Sequence, residues 1–384
     1  MARRVFVHIG LPKTGTTYLQ TIMWAHRPEM RAAGMLLPGR ERRDHLWASC
    51  VVRDDPGVGK RSPKAPASWD VLQEEIAAWD GDAIVSHEFL ASASAEQAQR
   101  MVAQLAPAEV HVVATARDFL GLFTSSWQES LKTGYTQPIE DYGREESDNP
   151  LKIWDWRCLD LGLVLERWST AVPDERVHVI TTPGSDQPRS ALWDRFCGVV
   201  GLDPATCSTE GNFPNESMGV VEAELLRRVN ERLVGFTSAR DRGVWIRTFL
   251  ADERLVPRKG ERFWPPADHV ADSRRRAERA ITLIEQRGFD VVGDLDTLRP
   301  PAELPPRREP SSVTDAEVAD AGADLVAQLL GDVRQLRQDN AALTRQLRRA
   351  QATAIPVPRG VRSALGRVWR RLRRLRRGGP GATA

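Results

Sequence analysis

The chain lacks any apolar run of 18 residues, so no segment is expected to cross a membrane as a helix. No secretory leader is expected at its start. The apolar start is interrupted by His8, Gly10, Pro12 and Lys13 before it could serve as a signal-peptide core. Cysteine is scarce: Cys50, Cys158, Cys197 and Cys207 are scattered, with no C-x-x-C spacing. That excludes a disulfide scaffold and a structural zinc site, and it fits a reducing cytoplasm. His45, His111, His178 and His269 show no metal-ligand spacing, and no metal is expected.

What is present is an ordinary globular balance. The 384 residues are 41% apolar and 28% charged, enough to build a substantial core and too apolar for wholesale disorder. The net charge of +2 hides an asymmetry. Nine of the 54 basic residues are arginines within 359–384, where there is no acid, leaving 45 basic against 52 acidic residues in 1–358. The body is therefore mildly acidic and the basic character sits in a tail.

Four β-rich runs, 4–9, 83–88, 110–116 and 177–181, alternate with segments of helical periodicity. This pattern predicts an α/β fold, a P-loop-type parallel sheet flanked by helices. Almost every position of the first run is apolar, as an inner strand requires. Residues 218–234 and 270–287 read as amphipathic helices, the second closed by Gly288. An α/β domain is thus expected over 1–300, followed by a proline-rich linker and helix start at 301–324.

A helical, coiled-coil extension follows over 325–352. Val326, Leu329, Val333, Leu336, Asn340, Leu343, Leu347 and Ala350 take alternate a and d positions of a heptad. Asn340 at an a position fixes register in parallel two-stranded coils, and Asp332 and Arg337 fall at facing g and e positions with opposite charge. A homodimer through 326–350 is the expectation; a lone amphipathic helix packed on the body is the alternative. The basic tail, 353–384, places Val361, Leu365, Val368, Trp369, Leu372 and Leu375 on one helical face among arginines. Contact of 359–377 with an anionic membrane surface is expected, at the inner face for a cytoplasmic protein. Nucleic acid or an acidic protein would meet the same charge, though no specific nucleic acid is expected.

The most informative segment is 8–20, HIGLPKTGTTYLQ. It follows a strand and runs into a helix starting near Thr16. Gly10 and Gly15 permit tight turning, the amides at the helix start point at an anion, Lys13 adds positive charge, and Thr14, Thr16 and Thr17 add hydroxyls. This is a phosphate-cradling loop. It keeps the G-x-x-x-x-G spacing of nucleotidase loops, but Thr16 stands where their lysine should be. No strand ends in a magnesium-binding Asp; 110–116 leads into Arg117 and Asp118 instead.

PKTGTT after an N-terminal strand resembles the phosphosulfate-binding loop of the sulfotransferase family, whose donor is 3′-phosphoadenosine 5′-phosphosulfate. The family also places an Arg at the end of a later strand and a Ser eight residues on, both on the donor's 3′-phosphate. VHVVATARDFLGLFTSSWQES matches with Arg117 and Ser125, and with Ser126 should the register slip. More weakly, 3–300 looks like bacterial members. Two departures stand out: Phe119, not Pro, follows Asp118, and Arg258-Lys259-Gly260 spells the family's late phosphate loop in an unconvincing setting.

The resemblance implies in-line, metal-independent sulfuryl transfer to a hydroxyl acceptor, with a carbohydrate or glycolipid slightly preferred. Lys13 would steady the leaving oxygen, the loop Lys13, Thr14, Gly15, Thr16 and Thr17 would hold the phosphosulfate, and Glu88 or His87 would be the base, Glu88 being favoured. Trp127, Trp154, Trp156 and Trp264 could line an acceptor pocket or pack in the core. Two other readings stand beside this one: a P-loop kinase or nucleotidase, and a non-catalytic coiled-coil adaptor.

Overall fold

Six of the seven residues of β1 (Arg4–Gly10) are buried, because the strand lies inside a sheet covered on both faces. The computed structural model describes residues 1–184, 186–211 and 217–353. Helix α1 (Thr16–Ala25) leaves β1, and the short β2 (Met35–Leu36) and helix α2 (Arg42–Val52) follow. Next come β3 (Asp82–Ser86), β4 (Glu109–Ala116), α3 (Phe119–Lys132) and β5 (Val177–Thr181). Helices α4 (Ala191–Val200), α5 (Val220–Asn230) and α6 (Ala267–Arg287) precede β6 (Asp290–Val292).

The sheet order is β2-β3-β1-β4-β5-β6, and every pairing is parallel. This is the α/β architecture that the alternating runs predicted. The chain leaves β1 toward β3 and β2 but leaves β4 toward β5 and β6. The β1–β4 junction is therefore the switch point, where parallel sheets open a crevice at the carboxyl ends of their strands. Phe6, Leu19, Ile22, Ile84, Val113, Ile180 and Phe196 form a core beneath one face of the sheet. Truncating Phe6, 1% exposed, to Ala would cost about 3–5 kcal/mol through lost transfer energy and the cavity left behind.

Several boundaries differ from expectation. The third strand stops at Ser86 because the His87 Nδ1 accepts the Phe89 amide and starts a 3₁₀ turn at Glu88. The edge strands β2 and β6 are two and three residues long, too short to carry a period. Helix α6 begins three residues earlier than its apolar pattern and ends at Gly288 in the left-handed region, as predicted. A π-helical segment, Arg242–Leu255, was not foreseen.

The chain divides into two units, Met1–Ala321 and Gly322–Ala384. The proline-rich stretch expected as a linker lies within the first. Arg274 donates to the Pro301 and Ala302 carbonyls, the Trp264 indole to Pro305, and the Trp264 amide to Arg308. Proline removes donors but leaves carbonyls, and these are what the domain grips. Helix α7 (Asp315–Thr353) covers the heptad stretch. Its Val326, Val333, Leu336, Leu343 and Leu347 are between 48% and 62% exposed. The Arg-rich tail, with the membrane-contact stretch 359–377, lies outside the described residues. No described helix is long and apolar enough to cross a membrane.

Candidate active site

The loop between β1 and α1 is built around an uncapped helix start. Gly15, with φ 88°, is the N-cap of α1 and no side chain caps it. The first helical bond runs from the Leu19 amide to the Gly15 carbonyl. The amides of Thr16 and Thr17 thus have no acceptor within the helix, and the helix dipole favours an anion in front of them. Thr14 is buried, and its hydroxyl holds the loop by bonding the Leu11 carbonyl (2.5 Å) and the Thr115 hydroxyl (2.6 Å). Thr16 is buried and Thr17 is exposed. Thr14 is therefore spent on shaping the loop, and Thr17 is the open hydroxyl.

Glu88 reaches this loop from the end of β3. Gly10 has φ 98°, and a Cβ there would lie 2.8 Å from the Glu88 Cβ, so glycine is what lets the two backbones approach. The Gln20 amide donates to Glu88 Oε2 (3.1 Å), and Arg42 donates to the other end of Gln20 (2.7 Å). Burial pushes the Glu88 carboxyl up, but His87, its own amide, Gln20 and Arg42 together outweigh it and hold the group below the usual carboxylate range. Glu88 is an ionised acceptor at neutral pH. His87 sits differently. It is buried, faces Ser49 of α2, packs edge-on against Phe89 at 4.7 Å, and burial pulls it down to about 4. The neighbours that sequence left as alternatives have separate surroundings, because the chain turns between them.

Arg117 follows β4 at the far side of the switch point. Its guanidinium pairs with Asp118 (2.9 Å), which caps α3 through the Gly121 amide. A Cβ at Gly121 would lie 2.5 Å from the Arg117 Nη2, so the guanidinium lies against this turn of α3 because no side chain stands there. Ser125 is one turn further along the same face and is half-buried. Ser126 is fully buried and bonded to the Phe123 carbonyl and Tyr142 hydroxyl, which puts it in the core.

Lys13 has φ 64° and its ammonium meets Glu129 Oε2 at 2.9 Å. Glu129, on α3 one turn after Ser125, also pairs with Arg247 of the Arg242–Leu255 segment. Lys132 of α3 binds Asp252 of the same segment at 2.6 Å. Partial burial, then Lys132, Arg247 and Arg117, push the Lys13 ammonium down to about 8, with Asp252 opposing. Burial likewise lowers Arg247, while Asp252 and Glu88 pull it back.

A buried polar ladder joins these parts under the crevice. His8 bonds Ser86 of β3 (2.8 Å) and Thr115 of β4 (3.3 Å). Thr115 continues to Thr14, and Ser86 meets Gln20, which carries Glu88. Burial drops His8 to about 4, so it is a neutral bridge. His8, buried in β1, thus ties the anion loop to the carboxylate.

Sequence reasoning missed Gln20, Arg42, Glu129 and Arg247. Glu129 had a faint signal, a carboxylate on the Ser125 face of a largely apolar helix; Arg247 had none. Trp127 and Trp156 are fully buried, while Trp154 and Trp264 are half-buried. Arg258 pairs with Glu222 at 3.2 Å, and Lys259 has φ 53°. Among the described residues no cluster of His, Cys, Asp and Glu has metal-binding geometry.

No family model matches the chain, and no curated protein matches it. Among solved structures it is similar to one described as the crystal structure of a sulfotransferase from Alicyclobacillus acidocaldarius. The TM-score is 0.38 and the identity 17%, over 56% of this chain and 88% of that one.

Proposed function

We propose that the protein is a sulfotransferase that moves the sulfuryl group of 3′-phosphoadenosine 5′-phosphosulfate to a hydroxyl acceptor. One observation carries the reading. The uncapped, lysine-bearing loop after β1 and the Arg117–Ser125 pair after β4 flank the same switch point, with the ionised Glu88 against Gly10 between strand ends. Two anion sites on either side of one crevice suit a ligand with phosphate groups at both ends of a nucleoside. Arg117 gives the bidentate donors that a 3′-phosphate prefers, and Ser125 a hydroxyl.

Transfer is then an in-line displacement. Glu88 takes the acceptor proton, the acceptor oxygen bonds to sulfur, and the bond from sulfur to the bridging oxygen breaks. The electron pair stays on the departing 5′-phosphate, whose new charge Lys13 and the α1 amides stabilise. Residues of the chain supply each of these roles without a metal. A carbohydrate or glycolipid remains the favoured acceptor class, and the cytoplasm, at the inner membrane face through the tail, the favoured location.

Calorimetry with adenosine 3′,5′-bisphosphate tests the reading. Binding without magnesium is expected; magnesium-dependent binding of ATP in its place would make the protein a kinase or nucleotidase instead. Donor binding with no turnover on any fraction of cell extract would favour the adaptor reading. A parallel homodimer through α7 is proposed alongside, because its exposed apolar stripe repeats at heptad spacing around Asn340.

A further inference from the structure

We infer that Glu129 is a positioning residue for transfer: a buried carboxylate that holds the Lys13 ammonium and the Arg247 guanidinium together as one preformed cation pair at the sulfuryl end of the crevice. The inference rests on the sulfotransferase reading of that site.

The geometry separates the anchor from the ends it holds. The Glu129 side chain is 5% exposed, whereas those of Lys13 and Arg247 are 35% and 38% exposed. Oε2 accepts a hydrogen bond from Lys13, while Oε1, which has no hydrogen-bond donor among the described residues, lies in ion-pair contact with Arg247. The carboxylate sits at the base and the cations face outward, as a receptor for an anion requires. The anchor is rigid, since Glu129 lies within α3. The Arg247 element is held to the same helix a second time by Lys132 and Asp252. Three elements distant in sequence thus converge on one carboxylate.

The charges explain what the carboxylate does. Lys13 faces Arg117 after β4, Glu129 and Lys132 on α3, and Arg247 and Asp252 on the π-helical segment; Glu88 faces Arg247. Three cations press on Lys13. Without Glu129, Lys13 and Arg247 would stand side by side without the carboxylate that pairs with both, and Lys13 would shed its proton more readily. A donor whose leaving oxygen carries new negative charge needs the ammonium and not the amine. Glu129 keeps Lys13 charged and, with Arg247, pointed at a fixed place, which spares the donor the cost of assembling that pair. It also neutralises only one of the two charges it holds, so the pair stays attractive to an anion.

The test uses the full chain. The Lys13 midpoint is followed by NMR of labelled lysine without ligand, and adenosine 3′,5′-bisphosphate binding is followed by calorimetry, both from about pH 6 to about pH 9.5, the range that brackets its titration. In the parent protein, affinity is full below the midpoint and falls as pH rises through about 8. Glu129→Gln lowers that midpoint by about one unit, which weakens the ligand by about twofold near the lower midpoint, rising to about tenfold above the upper one. Glu129→Asp restores it. Arg247→Gln alone raises the midpoint by removing a cation, and it carries the test even if Glu129→Gln does not fold. An unmoved Lys13 midpoint in folded Glu129→Gln, or in Arg247→Gln, overturns the inference. So does tighter ligand binding at every pH, which would make Glu129 a mere competitor for Lys13. Absence of any binding heat in the parent protein defeats the sulfotransferase reading instead, and the NMR midpoints still report on the ion cluster by itself.

Discussion

The two ends of the crevice are built on different principles. At the Lys13 end, charges are dense and locked: one buried carboxylate serves two cations, and a second ion pair ties the helix beneath to a distant segment. At the Arg117 end the arrangement is sparse. Arg117 pairs with its neighbour Asp118, lies against a glycine, and has a half-buried serine one turn away. A dense cluster suits the place where bonds break, because charge must be met at a fixed point as it forms. A lightly held arginine suits a phosphate that is bound but not changed. It can exchange the Asp118 carboxylate for the ligand with little rearrangement.

Substitutions should separate these ends. Lys13→Ala is expected to have the largest effect, a loss of about 10³-fold in labelled-sulfate transfer, as removal of a group facing a developing oxyanion does. Circular dichroism should show little change, since the residue is exposed in a loop. Near-parental turnover would remove Lys13 from the chemistry.

Glu88→Gln should follow, with a loss of about 10²-fold or more in turnover, the ordinary contribution of a general base. Adenosine 3′,5′-bisphosphate should still bind, because Gln can keep the bond to Gln20. Since the folded carboxyl is held below its usual range, the parent protein should keep its base ionised throughout neutral pH and lose activity only as acid protonates Glu88. An acid limb at or above an ordinary carboxylate value would count against this assignment.

Arg117→Ala should act on binding more than on rate. Loss of a charged hydrogen-bond pair, about 1.5–3 kcal/mol, weakens adenosine 3′,5′-bisphosphate by about 10- to 150-fold. Adenosine 5′-monophosphate, which lacks the 3′-phosphate, should bind the variant and the parent alike. An equal loss for both nucleotides would mean that Arg117 supports the fold and does not read the phosphate.

The smallest effect on the crevice should come from α7. Leu336→Glu with Leu343→Glu puts like charges at successive d positions of the heptad stripe and should halve the mass seen by light scattering, leaving nucleotide affinity unchanged. A mass equal to the parent's would argue against a paired α7.

Particular residues show why some of this was legible beforehand. Lys13, Gly10, Gly15 and Thr16 lie within one turn between a strand and a helix, so their spacing in the chain is nearly their spacing in space. Arg117 lies just before α3, its guanidinium against Gly121, and Ser125 is one turn on from Gly121, for the same local reason. Sequence favoured Glu88 over His87 without showing how their surroundings differ, because the turn that divides them depends on a hydrogen bond from the Phe89 amide to His87 that no period reveals. The proline-rich stretch read as a tether by composition, but composition says nothing of the Arg274 and Trp264 donors waiting for its carbonyls.

By itself the amino-acid order determined the parallel α/β architecture, the anion-cradling turn and the heptad stripe, since all three follow from periodicities and contacts within a few residues. Only tertiary structure decided that Arg247 and Glu129 would stand with Lys13, that His8 would bridge three strands, and that Glu88 would face the loop. Those pairings join residues about a hundred positions apart in the chain, and their partners are chosen by where the folded strands and helices end.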